Sequence, residues 1–240
     1  MSDTGHDLLL EVRGVSKDYR SLRPLRITAL TLARGESLAL LGFDQITAEV
    51  FVNLLTGAIT PDQGEVRAFG QLTSDVADAD AWLASLDRFG ILSDRAVLLD
   101  QLTAEQNMAV PLTLELEPIP DAVKSAVHAL ATEVSLGAAD LARPAGDLTP
   151  LARARVRLAR AVALDPQVLL AEHPTAALGE PDAAAFAWDL ARVAAARRLG
   201  MLVLTADAAV AAASAARVLT LNPATGELRP ASGWRRWFPA

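Results

Sequence analysis

The sequence predicts an α/β fold whose core sheet is mostly parallel. Continuous apolar runs, typical of strands buried on both faces, occur at 37–42, 89–93, 167–172 and 200–206. Helical patterns separate these runs, and such alternation of helices with buried strands indicates a parallel sheet. Residues 7–36 instead contain two partly alternating strands, and we expect these to form an antiparallel subdomain at the N-terminal end.

Composition restricts the classes of protein that fit. The chain has 240 residues, of which 52% are hydrophobic, so one domain spanning 1–240 can bury a substantial core. A net charge of −7 does not favour binding to nucleic acid or anionic lipid. The absence of cysteine excludes disulfides and thiolate catalysis. No apolar run approaches the roughly 18–20 residues of a membrane span, and residues 1–7 lack a basic signal-peptide region, so we expect a cytoplasmic protein or one that partners hold at a membrane.

The first half of the chain is predicted to contain five strands and two helices. A strand at 7–19 ends in a turn, and a second strand at 24–36 stops at Arg34 and Gly35. The buried strand 37–42 ends at Gly42, and an irregular stretch leads from there into a helix at 48–56. The remaining elements are a turn into a short strand at 57–71, a helix at 75–87 and the strand 89–93.

The second half begins with a predicted helical insertion at about 95–147. Thr103 is a plausible N-cap there with Glu105 close behind it, and 121–134 forms an amphipathic helix. The elements expected after the insertion are a helix at 148–164, the strand 167–172, a helix at 182–198 and the strand 200–206. We find no internal repeat and no low-complexity linker.

The segment from Leu38 to Gly57 has the layout of a phosphate-binding loop but lacks its chemistry. Such a loop cradles phosphates with glycine-rich backbone amides, reaches them with a lysine and holds Mg²⁺ with a serine or threonine. The second glycine is replaced by Thr47, the lysine by Ala48 and the hydroxyl residue by Glu49. A carboxylate about 4 Å from a phosphate repels it by roughly 4 kcal/mol at an intermediate dielectric. Without a bridging metal ion to offset this repulsion, we expect ATP in the usual pose to be strongly disfavoured.

The order of elements resembles the nucleotide-binding cassette of ABC transporters over nearly the whole chain. Three segments carry the resemblance: 60–70, 98–112 and 155–178. Residues 98–112 are similar to the segment that contacts the membrane subunits, and they resemble the branch of lipoprotein-release and macrolide-export cassettes. The resemblance implies a P-loop NTPase-like cassette with an N-terminal antiparallel subdomain, a helical subdomain at about 95–147 and a tail at about 230–240.

The resemblance also implies that most catalytic positions have changed. The family's metal-holding Asp and catalytic Glu, its switch His, its Gln after the earlier strand and its D-loop Asp correspond to Glu172, His173, Ala206, Asp94 and Gly179. The signature Leu-Ser-Gly-Gly-Gln corresponds to 148–152, where Pro150 has no N–H and Leu151 replaces a glycine. We therefore predict no catalytic residue and no metal ligand, and weak or lost binding of ATP and Mg²⁺ at Gly42.

Several residues keep two interpretations. His173 is either a base or a tolerated replacement beside Pro174. Tyr19 either stacks on adenine, as the family's aromatic residue does, or packs on the core. The arginines of 153–160 form a solvated face with ion pairs or a nucleic-acid patch, and the net charge favours the former. The aromatic and arginine side chains of 233–240 either touch a membrane or partner or fold back.

The pattern favours a degenerate, catalytically inactive cassette subunit on the inner face of the cell membrane. Its partners are a membrane permease, docked through the helical insertion, and a catalytically intact ATPase subunit, since a homodimer would contain two dead sites. One alternative is a soluble regulatory or scaffold pseudo-ATPase without a permease. Another is an active ATPase that uses Glu49, Glu172 and His173 around a metal.

Overall fold

The computed structural model describes residues 8–76 and 78–231, which contain two sheets. The smaller sheet is antiparallel, with the order β2-β1-β4-β5. Its strands are β1 (Leu8–Lys17), β2 (Leu25–Ala33), β4 (Gln63–Ala68) and β5 (Gln71–Leu72). Along β1 and β2, buried residues such as Val12 and Ile27 alternate in part with exposed ones, because one face of the sheet covers the core.

The larger sheet has six strands in the order β10-β9-β3-β8-β7-β6. These are β3 (Ser37–Leu41), β6 (Phe89–Leu92), β7 (Val168–Glu172), β8 (Gly200–Thr205), β9 (Arg217–Leu221) and β10 (Leu228–Pro230). All pairs are parallel except β9 with β10. Every residue of β7 and β8 is buried, which explains their continuous apolar sequences. The predicted α/β class with a parallel core is confirmed.

Eight α-helices complete the described residues. They are α1 (Gln45–Leu55), α2 (Ala79–Leu86), α3 (Ala104–Ala109), α4 (Asp121–Glu133), α5 (Ala138–Leu141), α6 (Pro150–Val162), α7 (Glu180–Arg197) and α8 (Ala208–Ser214). Alternate residues of the core strands face two hydrophobic clusters. Leu170 lies in the cluster that includes α1 and the antiparallel sheet, whereas Leu169 lies in the cluster that includes α3, α4, α6 and α7. The predicted phosphate-binding segment lies between the end of β3 and the start of α1.

Three expectations from the sequence need correction. Helix α1 begins at Gln45 and not at 48, because the Asp44 side chain caps its first turn. The segment 95–147 is less helical than predicted, because irregular stretches separate three α-helices and a short 3-10 turn. The sequence also did not predict α8, β9 and β10, which are short elements that follow the last predicted strand.

One local detail also differs from the prediction. Thr103 is the N-cap of α3, but its capping box is closed by Gln106, while the Glu105 carboxylate pairs with the His128 ring at 2.7 Å. Within 8–76 and 78–231, no helix has both the length and the apolar character needed to cross a membrane. The predicted tail contacts of 233–240 lie outside the described residues.

Candidate functional site

The predicted phosphate-binding loop is shortened to three residues by an early helix start. Gly42, Phe43 and Asp44 join β3 to α1, which begins at Gln45. Gly42 has φ +93°, and a Cβ there would lie 3.2 Å from the Leu221 carbonyl oxygen, so this glycine is required by the fold itself. Residues 45–47 contain no glycine, and they continue the helix where a phosphate loop would remain open.

Asp44 caps the amides that a phosphate would need. Its Oδ1 accepts from the Thr47 N–H at 2.7 Å, and its carbonyl oxygen accepts from the Ala48 N–H at 2.9 Å. The backbone and hydroxyl of Thr47, as hydrogen-bond donors, lower the pKa of Asp44. A negative charge at a helix N-terminus is favourable, so Asp44 takes the position in which a bound anion would be stabilised.

The side chains around this turn pack inward. Phe43 is buried and stacks on Phe51 with ring centroids 5.6 Å apart. Ala48, which replaces the lysine, is fully buried. The Tyr19 hydroxyl lies 3.0 Å from the Thr47 hydroxyl, and the ring packs against the same core. Both contacts of Tyr19 are with the core, and stacking on a base stays a prediction.

Arg95 links two of the predicted site residues. One guanidinium nitrogen, Nη1, lies 3.0 Å from Oε1 of Glu49 in α1. The other, Nη2, donates to Oε1 of Glu172 at the end of β7. Arg95 lies in the loop after β6 and is partly exposed, whereas the Glu172 side chain is fully buried. The structure therefore brings Glu49 and Glu172 together around an arginine.

The protonation of Glu172 depends on this neighbourhood. Burial raises the pKa of Glu172, and Arg95 opposes that rise through its charge and its hydrogen bond. The nearby Glu49 carboxylate raises the pKa further. Oε2 of Glu172 has no hydrogen-bond partner within 8–76 and 78–231, so only one of the two carboxylate oxygens is satisfied.

His173 lies next to this cluster in a strained backbone conformation. Its φ is +42°, and its N–H donates to the Leu204 carbonyl oxygen at 2.8 Å. The buried Nε2 has no hydrogen-bond partner in the described part of the chain.

The other predicted positions have structural roles elsewhere. Asp94 faces α6, where its Oδ1 lies 3.6 Å from Nη1 of Arg157. Gly179 is the N-cap of α7. Ala206 follows β8 and is exposed, and the next residue, Asp207, caps α8 by accepting from two backbone amides. The contacts described for these three residues do not bring them to the Glu49 and Glu172 cluster.

The segment that corresponds to the family signature also caps its own helix. Thr149 is the N-cap of α6, where its hydroxyl accepts from the Ala152 N–H at 3.2 Å. Pro150 occupies the first helical position, at which a missing N–H is tolerated. The helix terminus is therefore completed by its own residues.

The arginines of α6 pair with neighbouring elements, in addition to the contact of Arg157 with Asp94. Arg153 lies 2.9 Å from the Asp100 carboxylate, and Arg155 lies 2.9 Å from the buried carboxylate of Asp189. Arg160 donates to the Val97 carbonyl oxygen at 2.9 Å. These contacts attach α6 to the segment before α3 and to α7, which accounts for the arginines as structural residues.

Mg²⁺ with a triphosphate does not fit this arrangement. The amides of Thr47 and Ala48 are already engaged, the lysine is absent, and the Asp44 carboxylate would repel a phosphate. The space between Glu49 and Glu172 contains the Arg95 guanidinium. Within 8–76 and 78–231 there is also no group of three or more His, Cys, Asp or Glu side chains that could hold a metal ion.

Comparison with known proteins places this fold among ATP-binding cassettes. The dimeric structure of a bacterial ABC transporter cassette aligns with a TM-score of 0.75 at 21% identity, covering 94% of this chain and all of that chain. A cbiO1 structure from Clostridium perfringens, part of an ABC transporter complex, aligns with a TM-score of 0.79 at 17% identity, covering 93% and 87% of the two chains. These likenesses establish the cassette fold.

The family follows from the sequence. A model of the ABC transporter family matches residues 25–176, and the chain belongs to that family. It is 28% identical over 218 residues to the lipoprotein-releasing system ATP-binding protein LolD of Psychrobacter arcticus, covering 89% of this chain and 96% of the relative. It is 33% identical over 222 residues to a macrolide export ATP-binding/permease protein, MacB 1, of Aeromonas hydrophila.

The length covered differs among relatives. The chain spans 33% of that MacB 1 protein and 34% of a ribose import ATP-binding protein, RbsA 2, of Rhizobium etli. The chain therefore corresponds to about a third of these proteins. The predicted likeness to lipoprotein-release and macrolide-export cassettes is confirmed.

Proposed function

We propose that this chain is a cassette subunit of an ABC transporter complex that does not hydrolyse ATP. The observation that carries the proposal is the start of α1 at Gln45 under the Asp44 cap, which engages the amides of Thr47 and Ala48. Two further observations support the proposal: alanine replaces the lysine at Ala48, and the Arg95 guanidinium lies between Glu49 and Glu172. The chain contributes shape and contacts to the complex, while ATP hydrolysis takes place on another subunit.

A membrane permease is the proposed partner of the helical part of the chain. The names of the LolD and MacB relatives refer to lipoprotein release and to a combined ATP-binding/permease protein. Val97 and Leu99 expose more than half of their surface, and both precede α3. Next to them lies a groove of about 220 Å³ whose lining includes Ala96, Pro111 and Leu164. Apolar surface of this kind suits a short cytoplasmic segment of a permease.

The segment that carries this surface is rigidly built. The Asn107 side chain is fully buried, accepts from the Leu99 N–H at 2.9 Å and donates to the carbonyl oxygens of Leu99, Leu102 and Thr103. These contacts, in which the two amide hydrogens are shared among three carbonyl oxygens, fix the loop before α3. A docking surface that stays fixed suits a subunit that holds a permease instead of driving it.

An intact ATPase subunit is the second proposed partner. A pair made of two copies of this chain would contain two sites with the Asp44 cap and no lysine. Thr149 and Pro150 complete the start of α6, so this chain also offers few free groups to a nucleotide bound by its partner. A heteromeric pair at the cytoplasmic face of the membrane keeps at least one phosphate-binding loop with its lysine, on the partner subunit.

The first experiment measures binding and turnover of Mg-ATP by the purified full chain. We expect no saturable binding in the micromolar range, and no turnover that distinguishes the chain from its Glu172→Gln variant. Turnover by the wild type that is lost in Glu172→Gln or His173→Ala would refute the proposal and support an active ATPase with unusual chemistry.

The second experiment tests the partners. A tagged chain is purified gently from the membranes of its own cells, and copurifying proteins are identified by mass spectrometry. We expect a permease and an ATPase subunit that retains its lysine. Recovery only as a free chain, with no membrane subunit, would replace the transporter proposal with that of a soluble scaffold.

A further inference from the structure

Glu49 and Glu172 share a single cation although they belong to different elements. Glu49 lies in the first turns of α1, and Glu172 ends β7. Both have an Oε1 atom in contact with Arg95, through Nη1 and Nη2 respectively. Two carboxylates held this close repel each other unless a cation lies between them. The two oxygens therefore need the positive charge for the local structure to hold.

Arginine is suited to this position because its guanidinium stays protonated and has several donors in a fixed planar arrangement. It can therefore serve two separate carboxylates with two different nitrogens, as a bridging metal ion would. The Glu172 side chain is fully buried, whereas the side chains of Arg95 and Glu49 are partly exposed. Loss of Arg95 would leave a buried carboxylate without its only ion-pair partner in the described chain.

Arg95 also attaches a loop to the sheet. The loop after β6 is bound to α1 and β7 through Arg95, and to α6 through two further contacts. Arg157 lies 3.6 Å from Asp94, and Arg160 donates to the Val97 carbonyl oxygen at 2.9 Å. Contacts on both sides thus hold the loop at residues 94–97. This stretch includes the exposed Val97 and lies close to the exposed Leu99.

We propose that Arg95 is a built-in cation that replaces a divalent metal ion between Glu49 and Glu172. It fixes the 94–99 loop to α1 and β7 without any metal or nucleotide. The loop and its exposed apolar side chains therefore keep one position whatever ligands are present. This inference rests on the proposed loss of Mg-ATP binding at the same site, but its test does not use turnover.

The test follows thermal unfolding of the full chain in EDTA and in millimolar MnCl₂. The variants are Arg95→Ala, Arg95→Ala with Glu49→Ala, and the control Arg13→Ala, which removes an exposed arginine paired with Glu11. We expect Mn²⁺ to leave the unfolding midpoint of the wild type unchanged. Arg95→Ala should unfold roughly 6–20 °C lower, because it leaves a buried charge unpaired.

The response to the metal ion distinguishes a missing cation from a general loss of packing. Mn²⁺ should restore part of the stability of Arg95→Ala, since two carboxylates are then free to bind it, and should not do so for the double variant. The inference is overturned if Arg95→Ala resembles Arg13→Ala, if Mn²⁺ does not act on it, or if Mn²⁺ stabilises the wild type. Any of these results, without ATP turnover, leaves the proposed function in place.

Hydrogen exchange provides a second readout in case Arg95→Ala does not fold. The amides of 94–99 should exchange at the same rate in EDTA, in Mn²⁺ and in Mg-ATP in the wild type. They should exchange faster in Glu49→Ala, in which Arg95 has lost one of its two carboxylates. Unchanged exchange in Glu49→Ala, or ligand-dependent exchange in the wild type, would contradict the inference.

Discussion

Returning the missing lysine tests whether this site lacks only one residue. Ala48→Lys restores the residue that a phosphate-binding loop uses to reach the β and γ phosphates. In this structure Ala48 is fully buried within α1, and its N–H is bonded to the Asp44 carbonyl oxygen. We therefore expect Ala48→Lys to destabilise the chain without producing binding of Mg-ATP.

The magnitude follows from the burial of this position. Adding side-chain atoms to a packed core costs typically 1–3 kcal/mol. The ammonium group adds a desolvation cost, which the flexible stem reduces by extending toward solvent. A total of about 2–5 kcal/mol corresponds to a fall of roughly 5–15 °C in the midpoint of thermal unfolding for a domain of this size.

The assay combines calorimetric unfolding with titration of Mg-ATP. The matched control is Ile46→Lys, which adds the same charge in the same helix at a side chain that is 63% exposed. This control should change the free energy of unfolding by no more than about 0.5 kcal/mol. An Ala48→Lys variant as stable as this control, or one that binds Mg-ATP, would refute the reasoning about the helical turn.

Two further predictions concern Asp44 and Asn107. The pKa of Asp44 is lowered in the folded chain, so its carboxylate contributes stability above the unfolded value of 3.8, and this stability is lost as pH falls through the folded pKa. Asp44→Asn keeps an N-cap without the charge, so its unfolding midpoint should fall less than that of the wild type on acidification below about pH 4. Unfolding midpoints that fall by the same amount with pH in both proteins would contradict this prediction. Asn107→Ala should lower the free energy of unfolding by roughly 1–3 kcal/mol and speed hydrogen exchange at 99–103. The control Gln101→Ala, at an exposed residue, should change neither quantity. Equal effects of the two variants would show that the Asn107 hydrogen bonds do not hold the loop.

The sequence was sufficient for most of the core. Runs such as 167–172 and 200–206 predict buried strands because the parallel sheet is covered on both faces, and β7 and β8 are found within two residues of those limits. Their order identified the family. The final elements α8, β9 and β10 were missed because they are short, and because the Ala-rich 208–214 has weak apolar periodicity.

The site was less predictable because its contacts are not local. Arg95 contacts Glu49, which lies 46 positions earlier in the chain, and Glu172, which lies 77 positions later. No sequence pattern pairs an arginine with two carboxylates so far away. The start of α1, however, had a local signal that was overlooked. An aspartate followed by three residues without glycine is typical of a capped helix, and the likeness to a phosphate loop obscured it.

The changed residues reverse the electrostatic preference of the site and do more than weaken it. A phosphate loop presents amides and a lysine, so it attracts an anion and a metal ion. Here Asp44, Glu49 and Glu172 are carboxylates, and Arg95 is the cation between Glu49 and Glu172. Because these groups compensate one another, the effects of substituting them will not add. Removing Asp44 alone leaves Glu49 to repel a phosphate, and removing Glu49 alone leaves Arg95 on Glu172 with the helix still capped. If the proposed function is right, Mg-ATP binding should therefore require simultaneous change of the cap, the lysine position and the arginine, and we expect no single substitution to produce it.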